Sequence, residues 1–284
     1  MFINKIKLKN HYIAEKQRHP FHVVDPSPWP ILVSIALFNI VLSTVLFLHG
    51  VSAYASNLYF GFVFLFFFLF GWFWDIILEA TYAGKHTEIV VRGLQYGMII
   101  FIISEVMFFF SFFFAFFYYA LSPSIWTGGT WPPVGITPPN PWTIPLLNTV
   151  LSVCSGIYLT FGHWSLIAGY RDESMFGFLG TVIFALLFSL LQLYEYNHTA
   201  FCINDTVFGS IFYILTGFHG LHVIIGTIML VVVCVRHYKY HFTRERHFGL
   251  IATSWYWHFV DVVRLFLYIL LYVWGSWGSW TPIF

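Results

Sequence analysis

Charge is what this sequence most lacks. Only 9% of its 284 residues are Asp, Glu, Lys or Arg, whereas a soluble domain carries about 25%. With 59% hydrophobic residues, the chain cannot cover its surface with charge, so lipid must be its main solvent. The composition therefore predicts an integral membrane protein.

Paired cysteines and an excess of basic charge are also missing. The three cysteines, Cys154, Cys202 and Cys234, are far apart and no CxxC occurs, which argues against a thiolate metal site. The net charge is +1, and no basic stretch is interleaved with aromatic residues, so no nucleic acid partner is indicated. The start of the chain lacks the apolar core of a signal peptide. We expect residues 1–29 to be a retained, polar and basic tail.

Long hydrophobic runs are what the sequence does contain. Seven of them are long enough to cross a hydrocarbon core of ~30 Å, and backbone in lipid must satisfy its own hydrogen bonds, so we predict an all-α protein. The predicted spans lie at about 30–50, 57–82, 94–121, 143–168, 175–195, 207–235 and 248–274. Proline and glycine between residues 128 and 141 predict an irregular loop between spans three and four.

The basic residues are distributed unevenly between the two sides of these spans. Twelve of the 13 Lys and Arg residues lie before span one or in the second, fourth and sixth connections, and the other connections hold none. The positive-inside rule therefore places the N-terminus on the cytoplasm-like face and the C-terminus on the opposite face. Tryptophans on that opposite side suit an interfacial belt or ordinary packing, and include Trp126, Trp131, Trp142, Trp274, Trp277 and Trp280.

Acidic residues inside or at the ends of spans are candidates for function, because a charge in hydrocarbon is costly. They are Asp75, Glu79, Glu105, Glu195 and Asp261. Glu105 lies well inside span three with no Lys or Arg within two helical turns. Two hypotheses stay open for it: a proton-exchanging or gating group, or a neutral carboxyl that hydrogen-bonds a neighbouring helix.

The other acidic residues suggest pairings. Asp75 and Glu79 are four residues apart, so they share a helical face near the basic side. Asp261 and Arg264 are three residues apart and are predicted to neutralise each other as a structural pair.

Histidine is the usual ligand of haem or copper, and four lie in the spans: His163, His219, His222 and His258. The spacing of His219 and His222 would let both reach one metal ion. However, a protein with two stacked haems needs pairs of histidines on two helices, and the sequence lacks that pattern. It also has no Cys close to a His that could form a copper site. We expect interhelical hydrogen bonds from these side chains and no metal bound by this chain.

Seven motifs, in order along almost the whole chain, resemble the subunit III family of cytochrome c oxidases. They are HPFHVVDPSPWP (19–30), RGL with YGM (92–98), FIISEV (101–106), WPPVGI (131–136), PLLNT (145–149), GFHGLHVIIG (217–226) and WYWHFVDVV (255–263).

The resemblance implies an architecture and partners. Residues 30–82 would form a two-helix bundle and residues 83–284 a five-helix bundle, around a V-shaped cleft that holds phospholipids. The chain would pack against subunit I, which carries haem a and copper, in a complex with subunit II and accessory subunits. It would hold no redox centre, stabilise the catalytic subunit and support proton uptake.

The resemblance also assigns residues. Glu105 falls on the family's membrane-embedded, carbodiimide-sensitive carboxylate, and the lipid head-group positions would be Trp72, Glu79, His86, Arg236, Lys239 and His241. Three positions depart from the animal members: Leu78 and Gln95 replace basic residues, and Arg264 replaces a tryptophan.

Two other functions compete with this one. An independent membrane transporter would use a proton path through Glu105, but the hydropathy has no inverted repeat. A haem-bearing anchor is disfavoured by the histidine spacing. The Phe-rich, basic-poor composition without a cleavable signal resembles an organelle-encoded chain. We therefore expect the mitochondrial inner membrane, with the N-terminus in the matrix and the C-terminus in the intermembrane space.

Overall fold

The computed structural model describes residues 19–276 and contains, over that range, helices and no strand. The predicted tail up to Arg18, and Trp277 and Trp280, lie outside the described residues. Seven of the helices are long and apolar enough to cross a membrane, which confirms the predicted fold class. They are α1 (Trp29–Leu48), α2 (Tyr54–Thr81), α3 (Glu88–Leu121), α4 (Ile144–Ala168), α5 (Arg171–His198), α6 (Val207–Tyr238) and α7 (Phe248–Phe266), which continues as a π-helix over Leu267–Trp274.

Several helices are longer than the apolar runs that predicted them. The third begins at Glu88 rather than near residue 94, because Glu88 and Arg92 form an ion pair of 2.6 Å one turn apart and keep the polar first turns helical. The fifth begins at Arg171, whose guanidinium donates to the carbonyls of His237 and Tyr238 at the end of α6. Polar residues at helix ends thus extend the spans beyond their apolar cores.

The chain divides into two compact units, with the boundary after Leu94. In the first unit, α1 and α2 form an antiparallel pair. The Trp29 indole at the start of α1 donates to Asp75 Oδ2 near the end of α2, at 2.7 Å. At the other end, Asn57 of α2 donates to Asn39 Oδ1 of α1 at 3.1 Å. Polar groups at both ends of the pair therefore fix its register.

In the second unit, α4 and α5 approach most closely where two glycines meet. A Cβ on Gly177 would lie 2.6 Å from the Gly162 Cα. The turn between these helices contains Gly169 in a left-handed conformation, with φ of 92°. Because neither glycine has a side chain, the two backbones can approach closely at the crossing, as in small-residue contacts between membrane helices.

Hydrogen bonds across α4 and α7 form what we call the polar seam, made of Thr149, Ser152, Ser155, Trp257, Asp261 and Arg264. Ser152 donates to Asp261 Oδ1 at 2.6 Å, and the Trp257 indole donates to Ser155 Oγ at 2.8 Å. Arg264, fully buried, donates from Nε to Thr149 Oγ1 at 3.2 Å. The hydrogen bonds of the polar seam thus join α4 to α7.

Aromatic residues pack α3 against α6 and α7. Phe108 lies edge-on to Phe218 with ring centroids 4.9 Å apart, and Phe116 lies 5.7 Å from Trp274. The loop tryptophans divide between the two expected roles. Trp131 packs 5.4 Å from Phe208, whereas Trp126 is 97% exposed, as an interfacial residue would be.

The close approach of Gly162 and Gly177 predicts that a Gly→Ala substitution lowers stability more at Gly177 than at a glycine with open space around it. Gly177→Ala places a methyl group against the α4 backbone and should destabilise by about 1–3 kcal/mol through overpacking. Gly220→Ala on α6 is the matched control, because a Cβ there meets no atom within 4 Å. Thermal unfolding of the purified protein in detergent measures both. Equal midpoints for the two variants would contradict the close crossing.

Candidate functional site

Glu105 on α3 pairs with a histidine on α6. Its Oε2 lies 2.8 Å from His222 Nε2, and the side chains are 23% and 10% exposed respectively. The pair sits among aromatic rings, with the Phe109 ring centroid 5.1 Å and the Tyr256 ring centroid 6.2 Å from that of His222. The carboxyl therefore has a polar partner in surroundings that are otherwise apolar.

The other ring nitrogen determines how this pair shares a proton. His222 Nδ1 lies 2.6 Å from the Phe218 carbonyl oxygen, which can only accept, so Nδ1 carries a hydrogen. In a neutral imidazole Nε2 is then an acceptor, and Glu105 must be protonated to donate to it. If the imidazole is protonated, Glu105 is ionised. In both states one proton is held between the two groups and the pair as a whole is neutral, which suits burial in lipid.

This geometry agrees with both hypotheses for Glu105. It supplies the interhelical hydrogen bond that the sequence predicted, and it also provides an acceptor for proton transfer. The sequence had indicated His222 only as half of a histidine pair. No residue pattern could have matched it with Glu105, because the two lie 117 positions apart.

His219 and His222 do not face a common site. His219 Nε2 lies 3.3 Å from the Val260 carbonyl oxygen, and its ring packs 5.7 Å from Phe188. Among the described residues, no group of three or more His, Cys, Asp or Glu side chains is arranged to hold a metal ion. His219 therefore pairs with a carbonyl on α7, whereas His222 pairs with Glu105 on α3 and with a carbonyl of its own helix.

The predicted pairing of Asp261 with Arg264 is wrong. Asp261 accepts from Ser152, and Arg264 donates to Thr149 and, from Nη2 at 3.0 Å, to the Pro145 carbonyl. No ion pair joins the two within the described range. Both side chains reach α4 rather than each other, because the hydroxyl and carbonyl groups there satisfy them separately.

The Arg264 guanidinium lies close to two aromatic rings. Its guanidinium carbon lies 5.3 Å from the Phe188 ring centroid and 5.2 Å from that of Tyr272. Aromatic faces stabilise a desolvated cation. The guanidinium thus packs against aromatic rings and also donates hydrogen bonds to α4.

Asp75 and Glu79 both face the segment that precedes α1. Asp75 accepts from Trp29, and Glu79 Oε2 lies 3.8 Å from His22 Nε2. The His22 ring also lies 5.9 Å from that of His86. The structure therefore brings Glu79 and His86, two of the predicted lipid-binding residues, to the same histidine.

Neighbouring residues complete this end of the first unit. Lys85 Nζ lies 2.6 Å from Asp25 Oδ2, and Trp72, on α2, is half-buried. The sequence indicated residues 19–30 only as a motif. The structure shows its polar side chains holding the end of α2.

The second group of predicted lipid-binding residues lies at the end of α6, with Arg236 in its last turn. The Arg236 guanidinium carbon lies 4.5 Å from the Phe242 ring centroid, Lys239 is exposed, and His241 is half-buried. Burial, and then the charges of Arg236 and Lys239, lower the pKa of His241 below its ordinary value. The neutral imidazole is therefore favoured, and an anion bound nearby would oppose this shift.

Comparison with known proteins identifies the family. The family model for cytochrome c oxidase subunit III matches residues 19–276. The chain belongs to this family. It is 46% identical over 264 residues to cytochrome c oxidase subunit 3 of Arabidopsis thaliana, covering 93% of this chain and 100% of that relative. The Prototheca wickerhamii subunit 3 is 47% identical over 260 residues, covering 92% and 99%. The Chondrus crispus subunit 3 is 46% identical over 260 residues, covering 92% and 96%.

The Glu105–His222 geometry gives a prediction for this member of the subunit III family. Glu105→Gln should leave assembly of the chain intact, because the amide can still hydrogen-bond His222 and the side chain is part-exposed. Glu105→Leu is the companion variant that leaves His222 Nε2 without this partner, and it should destabilise by about 1–3 kcal/mol. Native gel electrophoresis of membranes from both strains measures assembly. Loss of the assembled chain in Glu105→Gln would contradict the prediction and make the carboxyl group itself structural.

Proposed function

We propose that this chain is a non-redox subunit of a cytochrome c oxidase, the complex that transfers electrons from cytochrome c to O2 and pumps protons. The observation that carries the proposal is the subunit III family match over residues 19–276. It is supported by relatives named cytochrome c oxidase subunit 3 that align over 95% or more of their own length. The independent-transporter hypothesis is not supported, because the matching family and these relatives are oxidase subunits.

The proposal assigns partners and a compartment. The chain packs against subunit I, with subunit II and accessory subunits in the same complex, and the haem a and copper belong to those partners. It lies in the mitochondrial inner membrane with its N-terminus in the matrix. The distribution of Lys and Arg supports this orientation. All of them except Arg264 precede α1, or lie in the connections between α2 and α3, α4 and α5, and α6 and α7 or in the helix turns that flank those connections.

Within this complex, we propose that Glu105 supports proton uptake. A carboxyl and an imidazole that share one proton can exchange it without leaving an unpaired charge in hydrocarbon. The hydrogen bond between α3 and α6 fits this role.

We also propose that phospholipid head groups bind at two groups of residues, each within its own unit. One is Trp72, Glu79 and His86 at the end of α2; the other is Arg236, Lys239 and His241 at the end of α6. The second group suits phosphate best. It combines a guanidinium stacked on Phe242, an exposed ammonium and an imidazole whose pKa an anion would raise.

The subunit assignment is tested by purifying the chain through an affinity tag in mild detergent. Haem a absorbance and large metal-bearing subunits should co-elute with it, because the chain works as part of the oxidase. The chain separated from that complex should be colourless. A chain that elutes alone, or that keeps haem after separation, would overturn the proposal.

The phosphate site predicts that Arg236→Gln lowers the number of phospholipids that stay with the purified complex. The control is Arg246→Gln, in the same connection but exposed and outside the proposed group. Mass spectrometry of extracted lipid per complex measures the difference. Retained lipid should fall by at least one molecule in Arg236→Gln and stay unchanged in the control. Equal lipid content in both variants would contradict the assignment.

A further inference from the structure

A cavity lies in the second unit beside the loop between α3 and α4. Its volume is about 280 Å³, which is room for several water molecules. The loop contributes Thr137, Pro138, Pro139 and Thr143, and the end of α5 and the residues after it contribute Glu195, His198, Thr199 and Ala200. Thr137, Thr143, His198 and Ala200 are exposed, so the cavity opens to the surface.

Glu195 is the buried acid in the wall of this cavity. It is 4% exposed, and its Oε1 accepts a hydrogen bond of 2.6 Å from the Tyr272 hydroxyl. Its other oxygen, Oε2, is buried and has no hydrogen-bond partner among the described residues. A buried carboxyl oxygen without a partner costs about 1–3 kcal/mol or more, so such groups in proteins are almost always satisfied by protein or by water.

More polar groups surround this carboxyl. The Gln192 amide is close enough to act on this carboxyl, yet neither of its polar atoms makes a well-formed hydrogen bond within the described part of the chain. Arg264, whose charge acts on this carboxyl, likewise has its Nη1 atom without a partner there. Donors and acceptors are both present. This is the chemistry that water satisfies, because water can donate and accept at the same site.

The titratable and charged groups around Glu195 come from three helices and the cavity wall. They are Tyr196 and His198 on α5, Tyr213 on α6, and Arg264 and Tyr272 on the seventh span. Arg264 is the one cation among them that stays charged at every physiological pH. Burial disfavours the ionised form of Glu195, and the charge of Arg264 offsets part of that cost. A carboxylate formed when Glu195 releases its proton into the cavity is therefore balanced by the guanidinium.

We propose that this cavity is a water-binding site, and that Glu195 is a second protonatable carboxyl of the chain, one that exchanges its proton with the aqueous phase on the side of the α3–α4 loop. Water bound to Oε2 connects the carboxyl to the cavity mouth. Glu105 differs from it, because its hydrogen bond is to a histidine on another helix. The proposal concerns the second unit alone and does not rest on the proposed function.

The test is modification of the chain in native membranes with a water-soluble carbodiimide and a small amine. Tandem mass spectrometry then measures the modified fraction of each carboxyl. Asp261 is the internal control, since it is 8% exposed against 4% for Glu195 but does not line the cavity. Glu195 should be modified about ten-fold more than Asp261, because water and small solutes reach it through the cavity. Equal modification of the two, or none at Glu195, would overturn the proposal.

A pair of variants tests whether the reagent enters through the cavity. Ala200→Phe fills the cavity mouth and should lower modification of Glu195 by about ten-fold. Asn197→Phe adds the same ring at an exposed position of α5 that does not line the cavity, and should leave modification unchanged. If Ala200→Phe folds and Glu195 is modified as in the wild type, the cavity is not the route. If that variant does not fold, the comparison of Glu195 with Asp261 in the wild type still decides the matter.

Discussion

Hydrogen bonds across α4 and α7 are the constraint on which the second unit depends. Lipid offers no partners to a buried polar side chain, so each such group must find one inside the protein. The polar seam meets this requirement with hydroxyls and backbone carbonyls on α4 and with Asp261, Trp257 and Arg264 on α7. Because these groups are short or rigid, the two helices must lie close together and in one register.

The rest of the unit follows from that register. The crossing of Gly162 and Gly177 places α5 directly against α4, and α5 then carries Glu195 to the hydroxyl of Tyr272 on the seventh span. The α6 helix packs against α7 and holds His222 where α3 brings Glu105. The contacts among α4, α5, α6 and α7 therefore help to position the Glu105–His222 pair, although α4, α5 and α7 contribute no residue to that pair.

A comparison of the two buried acidic sites explains how one unit holds carboxyls of different character. Glu105 is hydrogen-bonded to the His222 imidazole among aromatic rings. Glu195 accepts a hydrogen bond from a tyrosine hydroxyl and lines a cavity. Glu195 is also the more deeply buried of the two, at 4% exposed against 23% for the Glu105 side chain. The difference lies in the partner that each carboxyl meets.

The sequence was sufficient for the helices and the family, and insufficient for the partners of particular side chains. Apolar length predicted all seven spans, and the motifs predicted subunit III. Helical spacing suggested that Asp261 and Arg264 face each other, and this was wrong, because spacing says nothing of what a neighbouring helix offers. The partner of Glu105 was missed for the same reason. Such pairs depend on which helices pack together, and that is decided by tertiary contacts such as the glycine crossing.

The central claim is that donor geometry, rather than charge alone, holds Arg264 and therefore the polar seam. The most direct measurement is the thermal stability of the Arg264→Lys variant beside the wild type. Lysine keeps the charge but lacks the planar fork that donates to both Thr149 and Pro145. The account predicts a loss of about 2–3 kcal/mol, comparable with that of Arg264→Met. Wild-type stability in Arg264→Lys would contradict it, because charge alone would then be enough.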